Sequence, residues 1–236
     1  MTVRVVLEVA AKRSFASALD WPGWSRSGRS PDEALGRLVE YGPRYAAIAK
    51  RAKVAFAVPS SVDELEVVER VRGGSGTEFG VPGASAKAEA ERIPPRELDR
   101  LISLLQTGWK SFDRAAKAAE GTHLRLGPRG GGRQVPKMVE HVREAEGAYL
   151  HQLGWKTDRS AGMAELRKAF VEALRLRAAG QELPTPNKVR SPWEPAYAIR
   201  RSAWHAVDHA WEIEDRSARP RGRRSSRGPL ARRGCE

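Results

Sequence analysis

The chain has 236 residues, of which 40% are hydrophobic, so it can bury one large core or two small ones and is too apolar for wholesale disorder. It holds no run of about 18 apolar residues, and Met1-Thr2-Val3-Arg4 lacks a signal peptide's apolar region, which predicts a cytoplasmic protein. The only cysteine, Cys235, excludes an internal disulfide and argues against a cysteine-based metal site or nucleophile.

The net charge of +13 is unevenly distributed. Residues 217–236 hold seven arginines and one acidic residue, so this stretch alone carries +6. Its Arg, Ser, Gly and Pro composition predicts a disordered basic tail. Contact with nucleic acid through the tail is therefore one alternative function, although the rest of the chain mixes its basic residues with many acids.

The first part of the chain predicts a small α+β module. Strand patterns occur at 3–9 and 13–20, a third short one at 25–28 after the turn Trp21-Pro22-Gly23-Trp24, and a fourth at 65–71. Between them, Ser30 caps a helix, Pro31 takes its first position and Glu33 completes an S-x-x-E capping box. Apolar spacing predicts that this single helix continues to about Lys50.

The order of these elements, ββ(β)αβ, and the segment at 18–35 resemble the HicB-like fold of antitoxin N-terminal domains. That segment reads Ala-Leu-Asp-Trp-Pro-Gly-Trp-Ser-Arg-Ser-Gly-Arg-Ser-Pro-Asp-Glu-Ala-Leu. The resemblance implies that residues 1–82 form a protein-contact module, which would bind a protein partner or a second copy of the chain. The alternative is a small α+β appendage packed on the main domain.

After a predicted linker at 83–95, which holds Gly, Ala, Ser, Lys and Glu and ends in Ile93-Pro94-Pro95, the apolar period becomes helical. Four amphipathic helices are predicted, at about 96–119, 136–153, 160–179 and 196–216. Four such helices in succession predict a four-helix bundle over 96–216, so the expected fold class is α+β with an all-α second domain.

The last of these helices carries the pair His205 and His209. Histidines four residues apart lie one turn apart on the same face of a helix, where both can reach one divalent ion. The helical wheel places Arg201, Asp208 and Glu212 on the same polar stripe, beside a wide apolar face. Without a third ligand the alternative is a solvent-exposed pair that binds nothing.

A third histidine, His141, lies on the second predicted helix with Met138, Val142 and Tyr149 as its neighbours on the wheel. It therefore faces the core of the bundle, where a buried imidazole needs a partner for its nitrogens. Alone, His141 is equally compatible with a core histidine that is hydrogen-bonded to a neighbour.

One core-facing histidine on the second helix and an HxxxH pair on the fourth resemble the DinB/YfiT-like metalloenzymes. The resemblance covers about 96–216 and implies that His141, His205 and His209 bind a divalent metal, Zn²⁺ or Ni²⁺. It further implies a metal-dependent enzyme, either a transferase or isomerase that uses a low-molecular-weight thiol or a hydrolase. Its alternative is a non-catalytic interaction protein in which the bundle is only a scaffold.

Further residues are predicted to act in catalysis or anion binding around this metal. Asp208 and Glu212 are candidates for orienting the imidazoles, and Glu144 for acid–base work, although each is otherwise an ordinary helix-surface acid. The glycine-rich loop 127–133 precedes a helix and predicts an anion site, unless it is simply a mobile connection. We expect a small anionic substrate to be steered by three arginines, Arg129, Arg133 and Arg201.

Overall fold

The computed structural model describes residues 2–127 and 132–217 and shows an α+β chain, with a small four-stranded sheet followed by helices. The strands are β1 (Val3–Val9), β2 (Ser14–Ala18), β3 (Ser25–Gly28) and β4 (Leu65–Arg72). The helices are α1 (Pro31–Glu40), α2 (Gly42–Arg51), α3 (Ser75–Phe79), α4 (Pro95–Ala118), α5 (Val135–Gln152), α6 (Met163–Ala178) and α7 (Pro195–Ser217).

The strand order in the sheet is β3-β2-β1-β4. The hairpin pairs β1–β2 and β2–β3 are antiparallel, whereas β4 returns parallel to β1 after the two helices α1 and α2. Because side chains alternate across a strand, Val5 and Leu7 of β1 and their partners Ala18 and Ala16 of β2 share one face. That face is buried in a core with α1 and α2.

The predicted cap of the first helix is confirmed, but its predicted length is wrong. The Ser30 hydroxyl accepts a hydrogen bond from the Glu33 amide at 3.2 Å. The helix ends at Glu40, and a second one starts at Gly42. The cause is Pro43, which has no N–H to donate and whose ring would clash with the carbonyl four residues earlier.

The four long helices α4 to α7 pack around a second core, which is built mainly from leucine, alanine and aromatic side chains. Helix α6 begins three residues later than predicted, at Met163, because Gly162 takes the N-cap position and the Ser160 amide is turned toward Asp158. No helix within 2–127 and 132–217 is long and apolar enough to cross a membrane.

Helix α7 belongs to both cores. Its residues Ala203, Ala206 and Ile213 pack in the bundle core, whereas Val207 and Trp211 pack in the core under the sheet. Helix α7 also passes close to the turn before β3, where a side chain on Gly23 (φ +97°) would lie 3.1 Å from Val207 Cγ2. The sheet and the bundle are therefore joined through a continuous apolar contact.

The predicted linker at 83–95 is packed against α7. It contains a short 3-10 turn, Lys87–Ala90, whose Glu89 forms a buried ion pair with Arg200 at 2.5 Å. The Tyr197 hydroxyl donates a hydrogen bond to the Gly83 carbonyl at 2.7 Å. Of the predicted tail at 217–236, Ser217 is the last residue of α7, and the remainder, with Cys235, lies outside the described residues.

Candidate metal centre

Helix α7 sets the position of the site because two of its sides are committed to packing. One side fills the bundle core and another meets the core under the sheet. The third side carries polar side chains spaced at three or four residues, so that they follow one line along the helix. Four of them, Arg201, His205, His209 and Glu212, belong to the predicted polar stripe, and Arg216 continues the line beyond it.

The structure brings the three predicted histidines together. Their ligand atoms all lie within 4.8 Å of one another. The closest pair is His141 Nε2 of α5 and His205 Nε2 of α7, at 3.1 Å. His205 is only 6% exposed, whereas His141 and His209 are partly buried. Two helices thus supply the ligands, α5 one and α7 two.

The ligand atoms of this cluster are of a kind that binds metal, and the spacing of the His141–His205 pair is compatible with metal binding. Two imidazole nitrogens on one tetrahedral zinc ion, with Zn–N bonds of about 2.0–2.1 Å, lie about 3.3 Å apart. The 3.1 Å between His141 and His205 is close to that separation. Three nitrogens of this kind, with no carboxylate or thiolate among them, leave further coordination positions for water or a ligand, as catalytic rather than structural sites do.

Burial keeps the His141 and His205 imidazoles neutral, which is the form that binds metal. Burial, with smaller effects from the positive charges of Arg133 and His209, lowers the pKa of His141 to about 4. Burial is also the main cause that holds the pKa of His205 well below its ordinary value. Both rings therefore present a free lone pair near neutral pH.

Glu212 holds the third imidazole in place. His209 Nδ1–H donates to Glu212 Oε2 at 2.9 Å, so Nε2 is the nitrogen that remains for the cluster. The other carboxylate oxygen accepts from Arg216 Nη1 at 2.7 Å. Although burial acts to raise the pKa of Glu212, the hydrogen bonds from His209 and Arg216 bring it below its ordinary value. The geometry is that of a carboxylate–histidine pair behind a metal ligand.

The structure does not place Asp208 or Glu144 with the histidines. The Asp208 carboxylate instead pairs with Arg26 of β3 at 3.1 Å, because this residue lies on the side of α7 that faces the sheet. Glu144 is exposed on α5 and lines a different surface cavity of about 500 Å³, together with His151 and Asp158. The predicted catalytic roles of both acids therefore lack contact with the cluster.

The three predicted anion-binding arginines have different environments. Arg201 is buried, which lowers its pKa, and its guanidinium carbon lies 4.9 Å from the Tyr149 ring centroid and 4.7 Å from that of Trp204. Arg133 is exposed, and its backbone carbonyl accepts a hydrogen bond from Arg216 at 2.8 Å. Arg129 lies outside the described residues.

Two residues of α5, Tyr149 and Glu146, make buried contacts that the sequence analysis does not predict. The ring of Tyr149 lies 5.8 Å from that of His205 and also under Arg201, so it connects the two side chains. The signal was present, since the helical wheel places Tyr149 on the side of His141. Glu146 is buried against Arg167 of α6, and no spacing argument could have identified that partner.

No protein-family model, curated protein or solved structure matches the chain. The site is defined by its own geometry: three imidazoles meet, one of them is oriented by a carboxylate, and a buried guanidinium lies one helical turn away.

Proposed function

We propose that this chain is a metal-binding protein of the DinB/YfiT-like kind, in which His141, His205 and His209 hold one divalent ion. The single observation that carries the proposal is the meeting of their three ligand atoms within 4.8 Å, from two helices that are far apart in sequence. Histidines that come together by chance on a protein surface remain exposed. His205, in contrast, is only 6% exposed, and its Nε2 lies 3.1 Å from Nε2 of His141.

The placement of the ligands supports the resemblance. Among the four long helices, α5 is the second and α7 the fourth, which is the distribution that the DinB/YfiT-like pattern requires. The strand order of the first module, with three strands, helices and a returning parallel strand, likewise supports its HicB-like assignment. Both family assignments are part of the proposal.

We further propose that the metal is catalytic, in a thiol-dependent transferase or isomerase or, as the alternative reaction class, a hydrolase. When bound, Zn²⁺ or Ni²⁺ would acidify a water or a small thiol at an open coordination position. The chain's own contribution is to keep the His141 and His205 imidazoles neutral by burial and to orient His209 through Glu212.

The test is the metal content of the purified full-length protein. We expect about one equivalent of divalent metal in the wild type and at least a tenfold lower content in His205→Ala, because two neighbouring imidazoles cannot hold the ion alone. The chain has five histidines, so the two outside the cluster provide matched controls. His123→Ala and His151→Ala should keep the wild-type content.

Equal metal content in the wild type and His205→Ala would refute the metal centre. Negligible metal in the wild type after growth and purification with added Zn²⁺ or Ni²⁺, together with a stable protein partner that copurifies, would favour the interaction module instead. Nucleic-acid binding through the tail would show as an affinity that falls steeply with salt and is lost when 218–236 are deleted.

A further inference from the structure

Arg201 and its neighbour Arg200 are both buried, but among residues 2–127 and 132–217 only Arg200 has a carboxylate partner. Arg200 donates to both carboxylate oxygens of Glu89 and to the carbonyl of Ala84. Arg201 is 8% exposed, and within the described ranges its Nη1 is buried with no hydrogen-bond partner and no carboxylate makes an ion pair with it. A buried cation without a counter-charge is costly, so its retention calls for a reason.

The unpaired guanidinium lies beside the three histidines. Arg201 precedes His205 by four residues, one turn of α7, so both side chains leave the helix on the same stripe. The Tyr149 ring contacts both of them, since it lies 4.9 Å from the guanidinium carbon and 5.8 Å from the His205 ring. Trp204 covers the guanidinium from another side at 4.7 Å.

The part of the site around Arg201 would carry an excess of positive charge when a metal ion is bound. A divalent ion held by three neutral imidazoles keeps its full charge, and Arg201 adds another. The nearby carboxylate of Glu212 is already shared between His209 and Arg216. The carboxylate of Glu8 is likewise occupied, because it accepts from Thr77 and from the amides of Gly83 and Ala84. A bound anion would supply the missing negative charge.

We propose that Arg201 anchors the carboxylate of a small organic acid whose other end, a thiolate or hydroxyl, takes an open position on the metal. The inference rests on the proposed metal centre and names the ligand class that it accepts. A planar carboxylate matches the fork of a guanidinium, and charge-assisted bonds in a buried setting are the strong ones. Tyr149 and Trp204 flank the anchor and favour an acid with a short apolar body.

The experiment uses the full-length protein loaded with Co²⁺, whose visible spectrum reports both metal binding and thiolate ligation. It is titrated with 3-mercaptopropionate, which carries a carboxylate, and with 2-mercaptoethanol, which does not. We expect the wild type to bind the thiol acid at least tenfold more tightly. In Arg201→Met the preference should fall below threefold while Co²⁺ binding and 2-mercaptoethanol affinity stay within twofold.

Two further variants distinguish a specific contact between Arg201 and the carboxylate from a general attraction by positive charge. Arg201→Lys keeps the positive charge but loses the two parallel N–H donors of the guanidinium. It should therefore retain part of the preference for the thiol acid over 2-mercaptoethanol. Arg133→Gln removes an exposed cation near the same histidines, and its effect on the preference should stay within threefold because exposed charges are screened. Metal-free Arg201→Met should denature in urea at the wild-type midpoint or above it, since an uncompensated buried charge has been removed.

The outcomes distinguish the two proposals. If Co²⁺ gives the same weak spectrum in the wild type and in His205→Ala, the metal centre and the carboxylate site are both refuted. If Co²⁺ binds but the wild type shows no preference for the thiol acid, or Arg201→Met keeps it, only the carboxylate site is overturned. A large loss of stability in metal-free Arg201→Met would also overturn it, because Arg201 would then be a structural residue.

Discussion

At the scale of single residues, His209 shows how the ring of a proposed metal ligand is held in one orientation. Its Nδ1 is engaged by Glu212, and that carboxylate is engaged on its other side by Arg216. Arg216 in turn donates to the carbonyls of Arg125 and Arg133, which fixes it to the loop before α5. The orientation of one imidazole thus depends on a chain of contacts that reaches the loop connecting α4 to α5.

Glu212→Ala should weaken metal binding without removing a ligand. Loss of a carboxylate behind a ligating histidine typically costs about 10–100-fold in affinity, because the ring loses its orientation and basicity. Competition with a chromophoric chelator for Zn²⁺ measures the effect. Glu214→Ala is the matched control, since Glu214 is an exposed acid on the same helix that pairs with Arg44. An affinity of Glu212→Ala within twofold of the wild type would contradict the role.

Residue spacing predicted the histidines but not their surroundings. The i,i+4 pair and the core-facing position of His141 follow from helical periodicity alone, and the structure brings all three together. Asp208 shares the stripe on a wheel, yet its carboxylate pairs with Arg26, a residue 182 positions away. A wheel gives the direction of a side chain from its own helix and carries no information about what packs there.

At the scale of elements, α5 and α6 are joined by an ion pair at their buried contact. Arg167 donates to both oxygens of Glu146, at 2.8 and 3.0 Å, and also to Asp113 of α4. Burial raises the pKa of Glu146 to about 7, since it outweighs the opposing attraction of Arg167. The connection between these helices is therefore sensitive to pH in the neutral range.

Glu146→Gln should change the pH dependence of stability in a defined direction. A carboxyl group with an ordinary pKa when unfolded and about 7 when folded makes the folded state less stable as pH rises between those values. Glutamine lacks this effect, so the variant should gain about 2–3 kcal/mol relative to the wild type between pH 5 and pH 8. Urea denaturation at the two pH values measures it.

The control for that experiment is Glu172→Gln, which replaces an exposed carboxylate on α6. Its stability difference from the wild type should be the same at both pH values. If Glu146→Gln behaved in the same way as this control, the buried carboxyl group would not be titrating in the neutral range.

The helices show what periodicity establishes and what it misses. Apolar spacing predicted α4, α5 and α7 to within a few residues, because a buried stripe repeats every turn. It missed the break at Tyr41, where Pro43 overrides an unbroken apolar pattern. It also presented α7 as a helix with one apolar face, whereas α7 contacts two cores, so Arg201 became buried rather than exposed.

At the scale of the whole molecule, the sheet and the bundle share buried residues. Leu104 of α4 and both Val207 and Trp211 of α7 lie in the core under the sheet. Arg44 of α2 reaches α7 as well, pairing with Glu214 and Asp215. The sequence predicted two units separated by a linker, and no pattern in it indicated that α7 would pack against both.

This shared packing predicts one unfolding transition. Far-UV circular dichroism, which reports the helices, and the NMR amide signals of the buried strand β1 in the wild-type chain should give the same urea midpoint. Adding Zn²⁺ should raise both midpoints together, since a ligand bound only by the folded state stabilises all that unfolds with it. Two separated midpoints would show that the units unfold independently.

The packing of Trp211 in the core under the sheet limits how the two units of this chain can be exchanged with those of other proteins. The same indole ring packs beside Tyr41 and Arg26, and His209 and His205 precede it on α7 by two and six residues. Transfer of the first module to another helical bundle would therefore expose Trp211, and α7 would lose the packing behind its two histidines. We expect exchange of the two units at 83–95 to destabilise both of them.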